Sequence, residues 1–318
     1  MPSSVGDQRS ATEEVTRRCG PYTVRLTHLD KVLYKQAGVS KREVVDYYER
    51  IASLMLPQLR DRPLVMERYP DGTHEEGFFQ RAMPDYFPEW FQQAAVTARG
   101  RRQYVPVCNN KASLLYLANQ GSLTLHSWLS RRGSADKPDQ LIFDLDPPAE
   151  DFEPVRQAAL AIIALLDELG LASYTKTTGS RGLHVMVPIL RQYGFDQARA
   201  FARDCARLLV SRTPESYTLE QRIADRGGRL YLDVQRNSYG QTAVAPYSLR
   251  ARAGAPIAAP ISRKQLQDPE LHAAYYSIKN IFSSTAQRSD PWCNHRKHAR
   301  SLKGPASRLQ KLLDEAIR

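Results

Sequence analysis

Hydrophobic and polar positions alternate most tellingly in Leu141-Ile142-Phe143-Asp144-Leu145-Asp146, which predicts a strand. Side chains alternate faces along a strand, so Leu141, Phe143 and Leu145 take one face and Ile142, Asp144 and Asp146 the other. Pro147 and Pro148 then end it, because neither can donate to a sheet ladder. The same period recurs over 229–234, where Leu230, Leu232 and Val234 oppose Tyr231 and Asp233. Further strands are predicted over 22–26, from 63, and over 123–128, 172–177 and 182–188. Ser40-Lys41-Arg42-Glu43 is a capping box that opens a helix through about Leu56, with Val44, Val45, Tyr48, Ile51 and Ala52 near helical spacing. Other helices are predicted over 111–118, over 153–169 up to the stop at Gly170, from the cap Asp196 to about Ser211, and over 306–317. Strands interleaved with helices place the chain in a mixed α/β (α+β) class.

Length and composition narrow this picture. A chain of 318 residues, 42% hydrophobic and 25% charged, buries a real core in one large domain or two modest ones. The longest apolar run, Ala158 to Leu166, is too short to span a bilayer, and the N-terminus has no signal-peptide core. No membrane partner is therefore expected. The four cysteines are scattered, which points to a reducing cytoplasm. A formal charge of +11 fits a nucleic-acid partner. Residues 1–20 read as a flexible arm and 21–285 as the main folded domain. Residues 286–318 read as a basic extension with a short helix, carrying Arg288, Arg296, Lys297, Arg300, Lys303 and Arg308.

The candidate chemistry starts from charge. Asp144 and Asp146 on one face repel unless a cation lies between them, and oxygen ligands suit magnesium or manganese. With Asp233 from a second strand, three carboxylates suffice for two ions, the arrangement that clamps both oxygens of an in-line phosphoryl transfer. Two solvated aspartates at a strand end are the plain alternative. Thr177-Thr178-Gly179-Ser180-Arg181-Gly182-Leu183-His184 offers glycines, hydroxyls and a guanidinium to a phosphate, although most such turns are only hairpins. His184 is equally readable as a satisfied core histidine. Arg250, in Ala245-Pro246-Tyr247-Ser248-Leu249-Arg250, and Arg226 would neutralise a triphosphate, or else are surface arginines. Cys293-Asn294-His295-Arg296-Lys297-His298 groups three ligand types without a fourth and reads as a solvated basic tail rather than a zinc site.

In order and spacing, these motifs resemble the polymerase domain of bacterial ligase D, in the archaeo-eukaryotic primase superfamily. The resemblance runs through His28-Leu29-Asp30-Lys31-Val32-Leu33-Tyr34, Phe78-Phe79, Leu125-His126, FDLDP at 143–147, TGSRGLH at 178–184, YLDVQRN at 231–237 and APYSLR at 245–250. It implies a primase-type core with a central, largely antiparallel sheet flanked by helices. It also implies a template-dependent nucleotidyltransferase that extends primers, often with ribonucleotides and manganese, in gap filling or end joining at the nucleoid. By this resemblance Asp144, Asp146 and Asp233 hold two Mn2+ or Mg2+ ions. His126, Thr178, Ser180, Arg181, His184 and Arg250 form the nucleotide pocket, and Phe78 and Phe79 stack on template bases. Without the resemblance, Phe78 and Phe79 would read as core. Lys31 and Lys41, with His28 replacing a common asparagine, match the family's site for a downstream 5′-phosphate. Lys41 in the first turn of a helix opposes the helix dipole unless an anion sits there, receiving backbone donors as well.

Glu67 stands where many ligase-fused members have lysine, and Arg236 where they often have glutamine. These departures, with the chain's end, point to a stand-alone relative. No Lys-x-Asp-Gly nucleophile occurs, so nick sealing is not expected. A DNA-end binding protein and a separate ligase are the partners the resemblance suggests. A metal-dependent nuclease and a non-catalytic DNA-end scaffold remain the rival readings.

Overall fold

The computed structural model describes residues 14–98, 100–147, 149, 151–283 and 290–316. Two sheets organise it. The larger has six strands in the order Tyr217–Thr218, Leu230–Asp233, Gln140–Leu145, Leu183–Pro188, Tyr174–Thr177 and Pro260–Ile261. Every pairing in it is antiparallel except the first, which is parallel. The second, wholly antiparallel, orders Thr242–Val244, Ser122–Trp128, Leu64–Arg68 and Phe78–Gln80. The mixed α/β class with a largely antiparallel central sheet is therefore observed.

The Gln140–Leu145 strand is buried on both faces. Leu141, Phe143 and Leu145 join the main core, on which the helices Glu153–Glu168 and Phe195–Arg212 pack. Ile142, on the aspartate face, belongs to a smaller cluster with Leu129, Met186, Phe195, Ala243 and Trp292. Apolar packing on both sides holds this strand rigid up to the residues that carry charge.

The Lys41–Leu59 helix begins as the sequence predicts. Ser40 N donates to Glu43 Oε2 at 2.8 Å and Glu43 N donates to Ser40 Oγ at 3.3 Å. Its inner face buries Tyr47 and Tyr48, whose hydroxyls donate to Tyr247 O and Leu123 O at 2.6 and 2.7 Å. Those bonds remove the cost of burying two phenols.

Three expectations are corrected. Residues 14–19, assigned to the flexible arm, form a strand, Glu14–Cys19, in a hairpin with Tyr22–Thr27 around Gly20 at φ +62°. The rest of that arm lies outside the described residues. The helix expected from Asp196 starts at Phe195, and its cap is Gly194, whose N–H donates to Gln197 Oε1 at 3.1 Å. Asp196 instead sits in the first turn and pairs with Arg199. The C-terminal segment is no solvated tail. Trp292 is 3% exposed and donates from Nε1 to Thr175 O at 2.8 Å, while His295, Leu302 and Leu309 are buried. The Lys303–Ala316 helix packs on Phe195–Arg212. Arg288 lies outside the described residues.

Candidate active site

Sheet register builds the centre. Asp144 lies directly between His184 on one neighbouring strand and Asp233 on the other. Asp144 Oδ1 is 3.1 Å from His184 Nε2, and Asp144 Oδ2 accepts from Arg236 Nε at 2.9 Å. Burial alone would raise this carboxyl, but His184 and Arg236 reverse that and hold it well below the usual carboxylate range. Burial, then Lys176, pushes His184 down to about 4. At neutral pH His184 is therefore an uncharged donor, and Arg236 is the cation that faces Asp144. The satisfied-core reading of His184 fails in part, because its Nδ1 is buried without a partner.

Asp146 follows the strand end and is raised by burial and by Asp144. Asp233 is raised by burial too, with Asp144 adding to it, and its Oδ1 accepts from Gln235 N at 2.7 Å. The set is all oxygen, hard and crowded with negative charge, which suits a divalent cation. Among the described residues, however, no three His, Cys, Asp or Glu side chains already stand grouped as a metal site. Asp144 Oδ1 faces His184 and Oδ2 accepts from Arg236, so Arg236 would compete for charge on Oδ2 with an ion held by Asp144, Asp146 and Asp233. The donor set fits such ions.

A cavity of about 320 Å³ opens beside this centre. Asp144, Asp146, Thr178, Ser180, Arg181, His184 and Arg250 line it, joined by Arg236 and Arg252. The turn over 178–182 is closed by Thr178, whose Oγ1 donates to Gly182 O at 3.0 Å and accepts from Gly182 N at 3.1 Å. Gly182 is required there, since a Cβ would stand 1.9 Å from Leu145 O. The same close approach sets the turn against the aspartate strand. Arg250 donates from Nη1 to Thr178 O at 2.9 Å. Its segment is anchored by the buried Ser248, whose Oγ accepts from Leu125 N at 2.8 Å.

Other predicted residues sit outside the cavity. Arg226 does not line it. Its guanidinium lies 4.6 Å from the Tyr231 ring centroid and donates to Glu220 O and Gln221 O, which corrects its assignment to the pocket. His126 lies on the second sheet, 3.6 Å from Glu67 Oε2 and 5.7 Å by ring centroid from Phe79. Glu67 also accepts from Tyr69 OH at 2.9 Å, so Glu67 and Arg236 serve different partners. Phe78 and Phe79 are 46% and 51% exposed, which rules out a core role. Arg68 and Arg81 stand 5.4 and 5.7 Å from their rings.

Lys31, Lys41 and His28 are neighbours. Lys41 N donates to Lys31 O at 2.7 Å, and Lys31 N donates to His28 O at 3.1 Å. Lys31 pairs with Asp71. Lys41 is buried with no carboxylate beside it among the described residues, and burial, then Lys31, pushes it down to about 8. One expectation fails here. The donors of the first turn are already used, Lys41 N by Lys31 O, Arg42 N by Leu29 O and Glu43 N by Ser40 Oγ. An anion would meet side chains, not backbone donors.

Sequence reasoning passed over two residues that shape the site. Asn237 bonds both ways to Ile142, with Oδ1 accepting from N at 2.8 Å and Nδ2 donating to O at 2.7 Å. It substitutes for a strand where the Leu230–Asp233 pairing has ended. Its place in the 231–237 motif was the available signal. Lys176 is 1% exposed, stands across from His184 in register, and has no partner for Nζ. No sequence pattern marked it. His295 and His298 engage Trp292 O and Tyr174 rather than each other.

A family model described as the LigD primase-polymerase domain matches residues 40–292. The multifunctional non-homologous end joining protein LigD of Mycolicibacterium smegmatis is 35% identical over 78% of this chain and 33% of its own length. Its Pseudomonas aeruginosa counterpart is 31% identical over 92% of this chain and 34% of its own. The chain thus spans about a third of these relatives. A solved polymerase domain from Mycobacterium tuberculosis ligase D, in complex with DNA, superposes with a TM-score of 0.81 at 29% identity. That match covers 86% of this chain and 98% of the other.

Proposed function

The chain belongs to the LigD primase-polymerase family and is a nucleotidyltransferase of the archaeo-eukaryotic primase type, and we propose that it fills gaps or extends broken ends in bacterial DNA by templated nucleotide addition. The observation that carries this reading is the pairing of three aspartates with an arginine-rich cavity. Asp144, Asp146 and Asp233 surround one strand end, and Arg181, Arg236, Arg250 and Arg252 line the space beside it. Four guanidiniums suit a triphosphate, which a hydrolytic nuclease does not need. The intact aspartate set argues against a non-catalytic scaffold.

A polymerase of this class uses divalent metal ions, and we assign them to Asp144, Asp146 and Asp233, with manganese or magnesium as the ions. Bound there, they would neutralise phosphate charge and lower the pKa of the primer hydroxyl. The chain's own residues do the rest. Arg250 and Arg181 take the triphosphate, Ser180 and Thr178 shape the turn beneath it, and neutral His184 keeps Asp144 oriented. The primer 3′ oxygen attacks the α-phosphorus and pyrophosphate leaves toward the arginines, so catalysis is positioning and electrostatics. Phe78 and Phe79, exposed and flanked by arginines, offer stacking faces to template bases. Lys31 and Lys41, beside His28, recognise a downstream 5′-phosphate. No helix among the described residues is long and apolar enough to cross a membrane. Action at the cytoplasmic nucleoid, beside an end-binding protein and a ligase, belongs to the same proposal.

A 5′-phosphorylated gapped duplex supplied with manganese and each nucleotide pool tests the reading. Primer lengthening supports it, whereas shortening identifies a nuclease and bare retention a scaffold.

A further inference from the structure

A second cavity, of about 370 Å³, lies at the other end of the catalytic strands. Asp139, Gln140 and Pro188 line it, where the pairing of Gln140 with Pro188 opens the ladder that carries Asp144 near its other end. Four residues of strand at about 3.3 Å each put it roughly 13 Å from Asp144 along the chain. It shares no lining residue with the nucleotide cavity. Its remaining walls come from residues 60–62 just after the Lys41–Leu59 helix, from Arg131, from residues 189–191 and from the C-terminal segment at His295, Arg296 and Ala299.

Its charge is unbalanced. Arg60, Arg62, Arg131, Arg191 and Arg296 line it against Asp61 and Asp139. Asp139 alone serves two buried guanidiniums, Arg62 at 2.7 Å and Arg131 at 2.5 Å. Asp61 is held by Arg132 at 2.8 Å and by Asn109 at 2.9 Å. Among the described residues no carboxylate pairs with Arg60, Arg191 or Arg296. Arg131 is 9% exposed, yet its Nη2 is buried without a hydrogen-bond partner. Burial, with the like charges of Arg131 and Arg191, pushes Arg62 down to about 10 despite Asp139. The buried Nη2 of Arg131 lacks a partner and three exposed guanidiniums around the same cavity face no carboxylate, which leaves the cavity electropositive and suited to an anion.

We propose that this arginine cavity is a second anion site, which binds a phosphate-bearing polyanion separately from the nucleotide cavity. Guanidinium forks match phosphate oxygens in pairs, and the surplus of positive charge calls for more than a single negative charge. The phosphates come either from a free polyphosphate tail or from consecutive phosphodiesters of a nucleic-acid strand. The basic segment at 295–299 is thereby explained as a wall of this site.

Inorganic pyrophosphate, titrated calorimetrically in EDTA, is the first probe. Wild-type protein should bind one equivalent at this cavity, beside those taken by the nucleotide cavity and by the Lys31/Lys41 pocket. The double variant Arg60→Glu/Arg191→Glu should lose that one equivalent, with affinity at that site falling at least tenfold. Arg250→Ala should lose only the equivalent of the nucleotide cavity. Arg60 and Arg191 are exposed, so the double variant keeps its fold, which circular dichroism checks, and Arg60→Lys/Arg191→Lys should retain most binding. An unchanged stoichiometry and affinity in the charge-reversed variant overturns the proposal. A second arm adds oligothymidylate lacking a terminal phosphate to Arg250→Ala protein. Displacement of pyrophosphate assigns the site to phosphodiesters, and failure to displace it assigns the site to free polyphosphates; both support a phosphate site. Displacement by a glutamate-rich peptide at equal affinity overturns it in favour of an acidic protein ligand.

Discussion

Replacing Arg236 with glutamine should tighten manganese binding. Arg236 Nε lies 2.9 Å from Asp144 Oδ2, an oxygen that the proposed ion would share. Two unit charges about 4 Å apart interact by roughly 4 kcal/mol at an effective dielectric of 20. The Arg236 side chain is 43% exposed, while Asp144 is only 7% exposed. Solvent screening on the arginine side reduces the net value to about 1–2 kcal/mol. A metal ion at Asp144 would compete with that positive charge, so its removal should return up to the same energy as affinity, about 5–30-fold. Isothermal titration of manganese without nucleotide isolates this effect, because Arg236 then has no triphosphate to serve. Arg236→Lys should fall between wild type and Arg236→Gln. An unchanged or weaker manganese affinity in Arg236→Gln would refute the competition between guanidinium and ion.

Asp144→Ala or Asp146→Ala should abolish primer extension by orders of magnitude while DNA binding persists, read by gel extension and fluorescence anisotropy. Preference for a 5′-phosphorylated gap over a 5′-hydroxyl gap should fade as pH rises. Lys41 titrates near 8 in the folded chain, below its unfolded value, so above that pH it must take up a proton to meet the phosphate. Dissociation constants at pH 7 and 9 for wild type and Lys41→Ala would show this, and a flat profile in wild type would contradict it. Phe78→Ala and Phe79→Ala should each weaken template binding by about 1–3 kcal/mol with no loss of thermal stability, because both rings are largely exposed.

The catalytic strand was legible because it needs little beyond itself. Alternation fixed which residues share a face, and proline fixed where the strand stops. The capping box at Ser40 was equally local, since its partners lie three residues apart. What escaped depends on distant contacts. Trp292 sits in a segment that composition marks as basic, and only its bond to Thr175 and its packing on Ile142 reveal a core residue. The strand at Glu14–Cys19 is polar along its outer face and exists because Tyr22–Thr27 lies beside it. Backbone donors at Lys41 and Arg42 were spent on Lys31 and Leu29, ten and thirteen residues earlier, which no spacing rule shows. Arg226 lay in the right motif neighbourhood but turned onto Tyr231.

The paired hydrogen bonds between Asn237 and Ile142 have a kinetic consequence. They fasten the turn that carries Arg236 to the strand that carries Asp144, one residue from the first and two from the second. Backbone breathing cannot part these two segments without breaking a buried amide pair. The guanidinium can leave Asp144 only by rotating about its own side-chain bonds, which takes picoseconds to nanoseconds for a half-exposed residue. Exchange between the arginine-closed and ion-ready forms should therefore be far faster than turnover. The site then behaves as a rapidly equilibrating valve rather than a slow gate, and ion loading should show no lag in stopped-flow mixing.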